Sequence, residues 1–250
     1  MNNLKCGCVF KKKWVLTMLL MVAVLCLTCP STGSAMYEEA GEDTYQYDEK
    51  GQLIAAPFDA IFPDIRMAIA VAKTLGMGPY DSVSLDLLKG IEDLDLENCH
   101  IKSLEGIENL TGLKKLNCCR NDLINIDISK NKELVELDCS RSKLQHLDVS
   151  ENKKLVELDC SANKLEKLQL DLPNLKILDV AGTMITELDT SNLPLLTHLD
   201  VGFCSKIKTL NLIKNPMLEK LSFMANMHLE GAILHKYATE RGVKFVCFTS

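Results

Sequence analysis

The sequence predicts an α/β solenoid in which seven short repeats stack around one continuous apolar core. Two observations support this prediction: a leucine pattern recurs every 20 to 22 residues, and each copy contains an alternating apolar and polar triplet typical of a short strand. The seven copies begin at Ile91, Leu113, Leu134, Leu155, Leu175, Leu196 and Leu218. Because one copy cannot bury its own apolar side, neighbouring copies must stack to form a stable core.

The repeating unit follows L-x-x-L-x-L-x-x-N-x-L or a close variant, which is the leucine-rich-repeat signature. In the third copy, Leu137 and Cys139 point to one side of a strand and Asp138 points to the other. The inward positions therefore stack between copies and predict a parallel sheet on the concave side of the solenoid. The asparagine position, held by Asn163 in the fourth copy, is expected to bind the backbone of the turn, and Ser142 in the third copy should bind it less completely.

The outer half of the unit carries a second, weaker copy of the same pattern. The segment LVELDCS from Leu134 is echoed ten residues later by LQHLDVS from Leu144. Prolines also mark joins between units, at Pro173, Pro194 and Pro216, and proline disfavours long helices. The outer arcs are therefore predicted to be extended rather than fully helical.

Both ends of the stack need caps, because a solenoid cut short would expose its core. Helical apolar spacing predicts one helix that starts near Phe62 and ends at Gly76, and a second short helix over 84–89. The predicted organisation in chain order is a signal peptide at 1–35, an acidic disordered linker at 36–57, a helical N-terminal cap at 58–90, leucine-rich repeats at 91–230 and a helix–strand C-terminal cap at 231–250.

The N-terminal segment has the pattern of a secretory signal. A basic stretch at 11–13 precedes an apolar run from Trp14 to Thr28, and small residues at 33–35 predict cleavage after Ala35. Fifteen apolar residues are fewer than the roughly 20 that span a bilayer. The chain is therefore predicted to be secreted or displayed at the cell surface, and the alternative is membrane anchorage by an uncleaved signal.

The charge of the remaining chain restricts the class of partner. The formal charge of −6 becomes −10 without residues 1–35, which contain four lysines and no acidic residue. An acidic surface argues against nucleic acid and against anionic membrane, apart from contact through an uncleaved N-terminal segment. A protein partner with a basic patch is favoured, and a glycan stays possible.

Three segments resemble the bacterial internalin-like leucine-rich-repeat proteins. They are the IFPD segment from Ile61, the AVAKTLG segment from Ala70 and the IKSLEGIENLTGL segment from Ile101. The resemblance covers about residues 58–230 and implies secretion or surface display, with partner binding through the concave sheet. The outer arcs depart from that family, because they keep the LDVS-type half-repeat in place of its proline-rich phrase. The resemblance therefore implies the fold and a general role, without a particular receptor.

The concave column of polar residues is the first candidate binding site. Its acidic members are Asp138, Asp159, Asp179 and Asp200, which fall in four consecutive repeats. Strands stack about 4.8 Å apart, so these carboxylates would repel one another, and a basic protein patch or a Ca²⁺ ion could relieve the repulsion. We favour the basic protein and predict no metal site. The alternative is that aspartate is a general feature of the repeat, since the outer half-units have Asp127, Asp148 and Asp189 at the equivalent place.

An apolar group near the C-terminal end of the same face is the second candidate site. Ile177, Phe203 and Met224 are predicted at exposed positions in the last three repeats, close to His198. Apolar and aromatic anchors ringed by polar groups are typical of interface hot spots. Scattered exposed apolar residues are also common, so this grouping is a hypothesis about binding.

The cysteines divide into two kinds. Cys118, Cys139 and Cys160 share one inward slot, where they are interpreted as small buried hydrophobes rather than as a disulfide or thiolate–metal ladder. Cys119 is expected on the concave side, where the neighbouring Arg120 could lower its pKa and make it reactive.

No motif indicates catalysis. The five histidines lack metal-ligand spacing, and no G-x-S-x-G, P-loop or dinucleotide fingerprint is present. His198 and Asp200 share a strand face, but no nucleophile accompanies them in the sequence. The sequence therefore predicts an exported binding module without enzymatic activity or cofactor. The alternatives are a cell-envelope scaffold without a specific ligand and a regulator of a partner enzyme.

Overall fold

The computed structural model describes residues 45–212 and 214–223, and the backbone of a strand at 244–246. Four predictions concern residues outside this range: the signal peptide, the first part of the linker, the C-terminal helix and the position of Met224. Among the described residues, every helix is too short or too polar to span a bilayer.

The N-terminal part combines a small antiparallel sheet with three helices. The sheet has the order β1-β2-β3, with β1 at Gln46–Tyr47, β2 at Leu53–Pro57 and β3 at Ser82–Ser84. The helices are α1 at Phe58–Ile61, α2 at Ile65–Thr74 and α3 at Leu85–Lys89. Helices α2 and α3 lie where the apolar spacing predicts them.

The prediction of a disordered linker is wrong from residue 46 onward. Strand β2 pairs with both β1 and β3, and its residues Ala55, Ala56 and Pro57 are buried. The error has a physical cause, because an average over an acidic stretch hides a short apolar run. Within LIAAP, the last three residues are buried and pair with β3, although the run follows a strongly charged segment.

Asp64 joins the helical segment to the first repeat. One oxygen of its carboxylate accepts the Arg66 amide at 3.0 Å and caps α2, and the other accepts the Lys102 amide at 2.7 Å. Two glycines of the first repeat, Gly106 and Gly112, allow it to approach the helical segment closely. A Cβ on Gly106 would overlap the Ile61 carbonyl oxygen, and a Cβ on Gly112 would overlap that of Lys89. The cap therefore packs on the repeats through backbone contacts that no other residue type would permit.

The repeats form an eight-stranded parallel sheet, which confirms the predicted solenoid. Every neighbouring pair of strands is parallel, and the order is β13-β12-β10-β8-β7-β6-β5-β4. Each of the seven repeats supplies one strand, and the eighth comes from the C-terminal segment. The bounds are β4 Asp93–Asp95, β5 Lys115–Asn117, β6 Glu136–Asp138, β7 Glu157–Asp159, β8 Ile177–Asp179, β10 His198–Asp200, β12 Lys220–Ser222 and β13 Lys244–Val246.

The outer arcs are extended, as the half-repeat predicts. Strand β9 at Glu187–Asp189 pairs with β11 at Thr209–Asn211 in a second parallel sheet. Among the described residues of the repeats, the helical element is a single 3-10 turn at Ile107–Asn109. Short arcs of this kind allow the whole unit to close within about 21 residues.

The core lies between the eight-stranded sheet and the outer arcs. The middle leucine of each repeat strand is at most 2% exposed, and burying one such side chain contributes about 1.5–3 kcal/mol. These leucines are Leu94, Leu116, Leu137, Leu158, Leu178, Leu199 and Leu221. The stack is therefore held by one apolar column that runs through every repeat.

Three consecutive repeats place a cysteine in the next inward slot. Cys118, Cys139 and Cys160 are fully buried, and burial raises the pKa of each thiol well above its usual range. They are therefore neutral thiols that fill space as small apolar groups, in agreement with the sequence interpretation. The expectation for Cys119 is wrong: it is buried, and desolvation together with Asp138 raises its pKa to about 12 despite the nearby Arg120.

Buried asparagines satisfy the backbone where the chain leaves each strand. Asn163 donates to the carbonyls of Cys139, Cys160 and Ser161, at 2.9, 3.1 and 3.2 Å, and accepts the Leu144 amide at 3.0 Å. Asn121 makes the same four kinds of bond. Ser142 occupies this position in the repeat between them, and its buried Oγ has no partner among the described residues. The third repeat therefore has the incomplete backbone bonding that its sequence predicts.

The substitution Ser142→Asn should raise the free energy of unfolding by about 1 kcal/mol, because the new amide can reach backbone groups that the serine leaves unbonded. The measurement is urea unfolding followed by circular dichroism. The matched control Asn163→Ser should lower the free energy of unfolding by about 2 kcal/mol, since it leaves buried backbone groups without hydrogen-bond partners. A destabilising Ser142→Asn would contradict the interpretation of this slot.

Candidate functional site

The parallel register places the predicted aspartates side by side. Asp138 pairs with Asp159, Asp159 with Asp179, and Asp179 with Asp200. We call these four residues the aspartate column. All four are half-buried and point away from the core, on the side of the sheet that we call the sheet face. The sequence analysis therefore identified a set of residues that the structure brings together.

A second column runs along the same face, one position before each middle leucine. Sequence reasoning found only two of its members, Ile177 and His198, although side-chain alternation along each strand places the whole column outward. Its members in order are Asp93, Lys115, Glu136, Glu157, Ile177, His198 and Lys220. When Asp95 on β4 is added to the two columns, the outward positions of the seven repeat strands hold eight carboxylates and two lysines.

Carboxylates concentrate where the two columns cross strands β6 to β8. A shallow depression of about 460 Å³ lies there, lined by acidic side chains of both columns together with Lys115 and Ile177. The Lys115 ammonium lies 2.6 Å from Glu136, but both side chains are well exposed, so water screens this pair and it adds little to stability. Among the described residues, none of the four column aspartates forms an ion pair with lysine or arginine.

Each column aspartate also has a local structural role. Its carboxylate accepts the amide of the residue two positions later, at 2.9 Å for Asp138, 2.9 Å for Asp159, 2.8 Å for Asp179 and 2.7 Å for Asp200. Asn117, at the same position in the second repeat, accepts an amide at 3.2 Å. This bond stabilises the turn that ends the strand.

The outer half-units repeat this turn, so the alternative interpretation of the aspartates has a physical basis. Asp127, Asp148 and Asp189 accept the amide two residues later at 3.0, 2.9 and 2.9 Å. We call these three residues the outer aspartates. Aspartate at this position is therefore explained by turn formation, and any function of the column must come from its surroundings on the sheet.

On the sheet face, the pKa of two turn aspartates shifts in the opposite direction from that of two outer aspartates. Hydrogen bonds from the backbone amides of Ser129 and Ser150 lower the pKa of the exposed Asp127 and Asp148. On the sheet face, burial raises the pKa of Asp159, and burial with neighbouring carboxylates raises that of Asp179 to about 6. At Asp159 and Asp179, burial therefore destabilises the charged form by more than the turn hydrogen bond stabilises it.

The apolar end of the face is partly as predicted. Ile177 is 37% exposed, and it pairs in register with His198, whose Nδ1 lies 3.0 Å from the Thr197 hydroxyl. Phe203 is 56% exposed, and it lies in the turn after β10 rather than on the strand. Met224 lies outside the described residues. No group of three histidine, cysteine or acidic side chains in the described part of the chain is arranged to hold a metal.

Phe203 has a backbone conformation that disfavours its side chain. Its φ is +57°, in a row of turn residues that all have positive φ. We call this the turn row; its members are Asn98, Arg120, Arg141, Ala162, Gly182 and Phe203. The neighbouring Gly182 shows which residue the turn accommodates without strain. A large exposed aromatic ring at such a position costs stability and gains little burial.

Comparison with known proteins supports the assignment of the repeats. No family model matches the sequence. The structure of the functional domain of internalin J from Listeria monocytogenes, which includes a cysteine ladder, aligns with a TM-score of 0.67 at 37% identity. The alignment covers 68% of this chain and 38% of that one. The repeats are internalin-like.

The internalin-like relatives are longer than the matched region. Internalin J from Listeria monocytogenes serotype 4b is 39% identical over 74 residues, which is 30% of this chain and 8% of that protein. Internalin C from serotype 1/2a is 30% identical over 111 residues, or 42% of this chain and 33% of that protein. The structure of internalin C2 shares the fold at 20% identity and a TM-score of 0.57, with coverage of 78% and 98%.

Replacement of Phe203 by glycine should raise the free energy of unfolding by about 1 kcal/mol, because glycine adopts positive φ without the Cβ clash. Thermal and urea unfolding would measure the change. The matched control is Gly182→Ala in the same row, where a Cβ has room at 3.6 Å and only the backbone strain is added. It should lower the free energy by about 1 kcal/mol. A destabilising Phe203→Gly would show that the ring packs for stability.

Proposed function

We propose that this chain is an exported binding module whose sheet face recognises a protein partner with a basic patch. The observation that supports the proposal is the aspartate column: four half-buried carboxylates in register on adjacent strands, with no cation of the chain paired to them among the described residues. Two such carboxylates about 4.8 Å apart repel by nearly 1 kcal/mol even in water. A lysine or arginine side chain from a partner would relieve that repulsion.

The apolar end of the face favours a protein partner over a glycan. Ile177 and Phe203 are large exposed apolar groups beside the aspartate column. Such groups contribute to affinity when the apolar side chains of a protein partner bury them. The likeness of the repeats to those of internalins also supports a protein-interaction role. Recognition would therefore combine charge pairing at β6 to β10 with apolar contact at the turn after β10.

The module acts by binding rather than by catalysis. The sheet face holds carboxylates, two lysines and one histidine, and the hydroxyl bonded to that histidine, on Thr197, donates its proton to the Lys176 carbonyl rather than to the imidazole. A scaffold without a ligand and a regulator of a partner enzyme are the competing functions. A scaffold predicts that no substitution on the sheet face changes partner capture.

Peptide selection tests the proposal even while the natural partner is unidentified. A random peptide library displayed on phage should yield sequences rich in lysine or arginine beside an apolar residue. A variant with Asp138→Asn, Asp159→Asn and Asp179→Asn should lose this selection, because asparagine keeps the turn bond, as Asn117 does, and removes the charge.

The matched control replaces the three outer aspartates by asparagine. It has the same net charge and the same number of altered turns, so it should select the same peptides as the wild type. Equal loss in both variants would reduce the effect to overall charge. Unchanged selection in the sheet-face variant would refute recognition through this face.

The localisation is proposed from the N-terminal sequence. We expect the exported protein to begin at Met36, since the small residues before it fit a signal-peptidase site. Edman sequencing of the protein from the culture medium and from the cell envelope would measure this. An intact N-terminus on membrane-bound protein would support the anchored alternative instead.

A further inference from the structure

The aspartate column differs from the outer aspartates in one respect. Both sets consist of aspartates in the same kind of turn. In both, the carboxylate accepts a hydrogen bond from the backbone amide two residues later, and both sets recur in neighbouring repeats. The outer set is exposed, whereas the column is half-buried on a sheet whose strands hold its members about 4.8 Å apart. Placement on the sheet is therefore what changes the behaviour of the carboxyl group.

Asp179 is one of the two members of the column that have aspartates on both neighbouring strands. Aspartates face it from both neighbouring strands, at Asp159 on β7 and at Asp200 on β10. The other groups around it are Ile177 on its own strand, Glu157 on β7, His198 on β10 and Asp138 one strand further away. Arg141 lowers the pKa of Asp159, but by less than burial raises it.

We propose that the aspartate column is a proton switch, which takes up a proton on mild acidification and so neutralises the centre of the sheet face. Resting on the function proposed above, this uptake weakens the binding of a basic partner. The raised pKa of Asp179, about 6, agrees with the crowding and burial seen in the geometry. No covalent step is involved, since the carboxylate gains a proton from solvent and loses it again as the pH rises.

The switch has a consequence for stability whose sign is fixed. A carboxyl group whose pKa is higher in the folded chain than the unfolded value of 3.8 stabilises the fold only at low pH. That contribution is lost as the pH rises through the window that ends near 6. Acidification to about pH 5.5 therefore weakens binding while it strengthens the free solenoid.

The test compares wild type with Asp179→Asn in two measurements. Urea unfolding at about pH 4 and about pH 7.5 should show that the variant gains stability over the wild type as the pH rises. The control Asp148→Asn should show the opposite trend, because the pKa of Asp148 is lowered in the folded chain. Equal pH dependence of the wild type and Asp179→Asn would overturn the proton switch.

The second measurement is fluorescence anisotropy with an N-terminally acetylated octalysine peptide, whose charge is constant over this pH range. Affinity for the wild type should fall about two- to threefold from pH 7.5 to pH 5.5, because a carboxyl group with a pKa of about 6 is then about three-quarters protonated and one contact with a full charge is mostly lost. Asp179→Asn should bind with little pH dependence. His198→Gln should keep the fall, which excludes imidazole protonation as its source.

The two measurements separate the switch from the proposed function. If octalysine fails to bind the wild type at about pH 7.5, the basic-partner proposal fails, and unfolding alone decides proton uptake. If octalysine binds but Asp179→Asn keeps the full pH dependence, the switch is refuted and the proposed function stands.

Discussion

The fixed parallel register of the repeat strands is the constraint on which the rest of this structure depends. Each strand is only three residues long and buries one leucine between two outward side chains. A strand this short has no stability alone, so the hydrogen bonds and leucine contacts to its two neighbours hold it in place. The same register that aligns the leucines inside must align the polar residues outside.

This coupling makes the sheet face a direct copy of the sequence period. Any residue type that suits the turn after the strand is repeated at the spacing of the strands, whether or not its charge suits that spacing. Aspartate suits the turn well, because its carboxylate accepts the amide two residues later. Repetition on a half-buried sheet then creates an electrostatic cost that a single turn does not have. The turn of each repeat favours aspartate, whereas the alignment of several aspartates on one sheet disfavours it. Proteins retain such conflicts at functional surfaces, and a binding surface is one example.

The sequence was enough to predict the solenoid, its extended outer arcs and the aligned aspartates, because all three follow from the repeat period. It failed where a feature is not periodic. The strand at Leu53–Pro57 was hidden in an acidic segment, and burial of Cys119 depends on how tightly the turn after β5 folds. The turn bond of each aspartate was also missed, although the equivalent outer aspartates were the available signal. The positive φ of Phe203 has no sequence signature, because phenylalanine is not a residue type that marks such turns.

The turn bond divides the sheet face into two kinds of position. In the aspartate column the side chain must accept an amide, and the position in the first six repeats is accordingly aspartate or asparagine throughout. The preceding column has no such duty, and it holds acidic, basic, aliphatic and imidazole side chains. The preceding column is therefore the less constrained half of this surface, while in the first six repeats the other half varies only in whether it carries a charge. New specificity in solenoids of this kind would be acquired through the less constrained column, one repeat at a time.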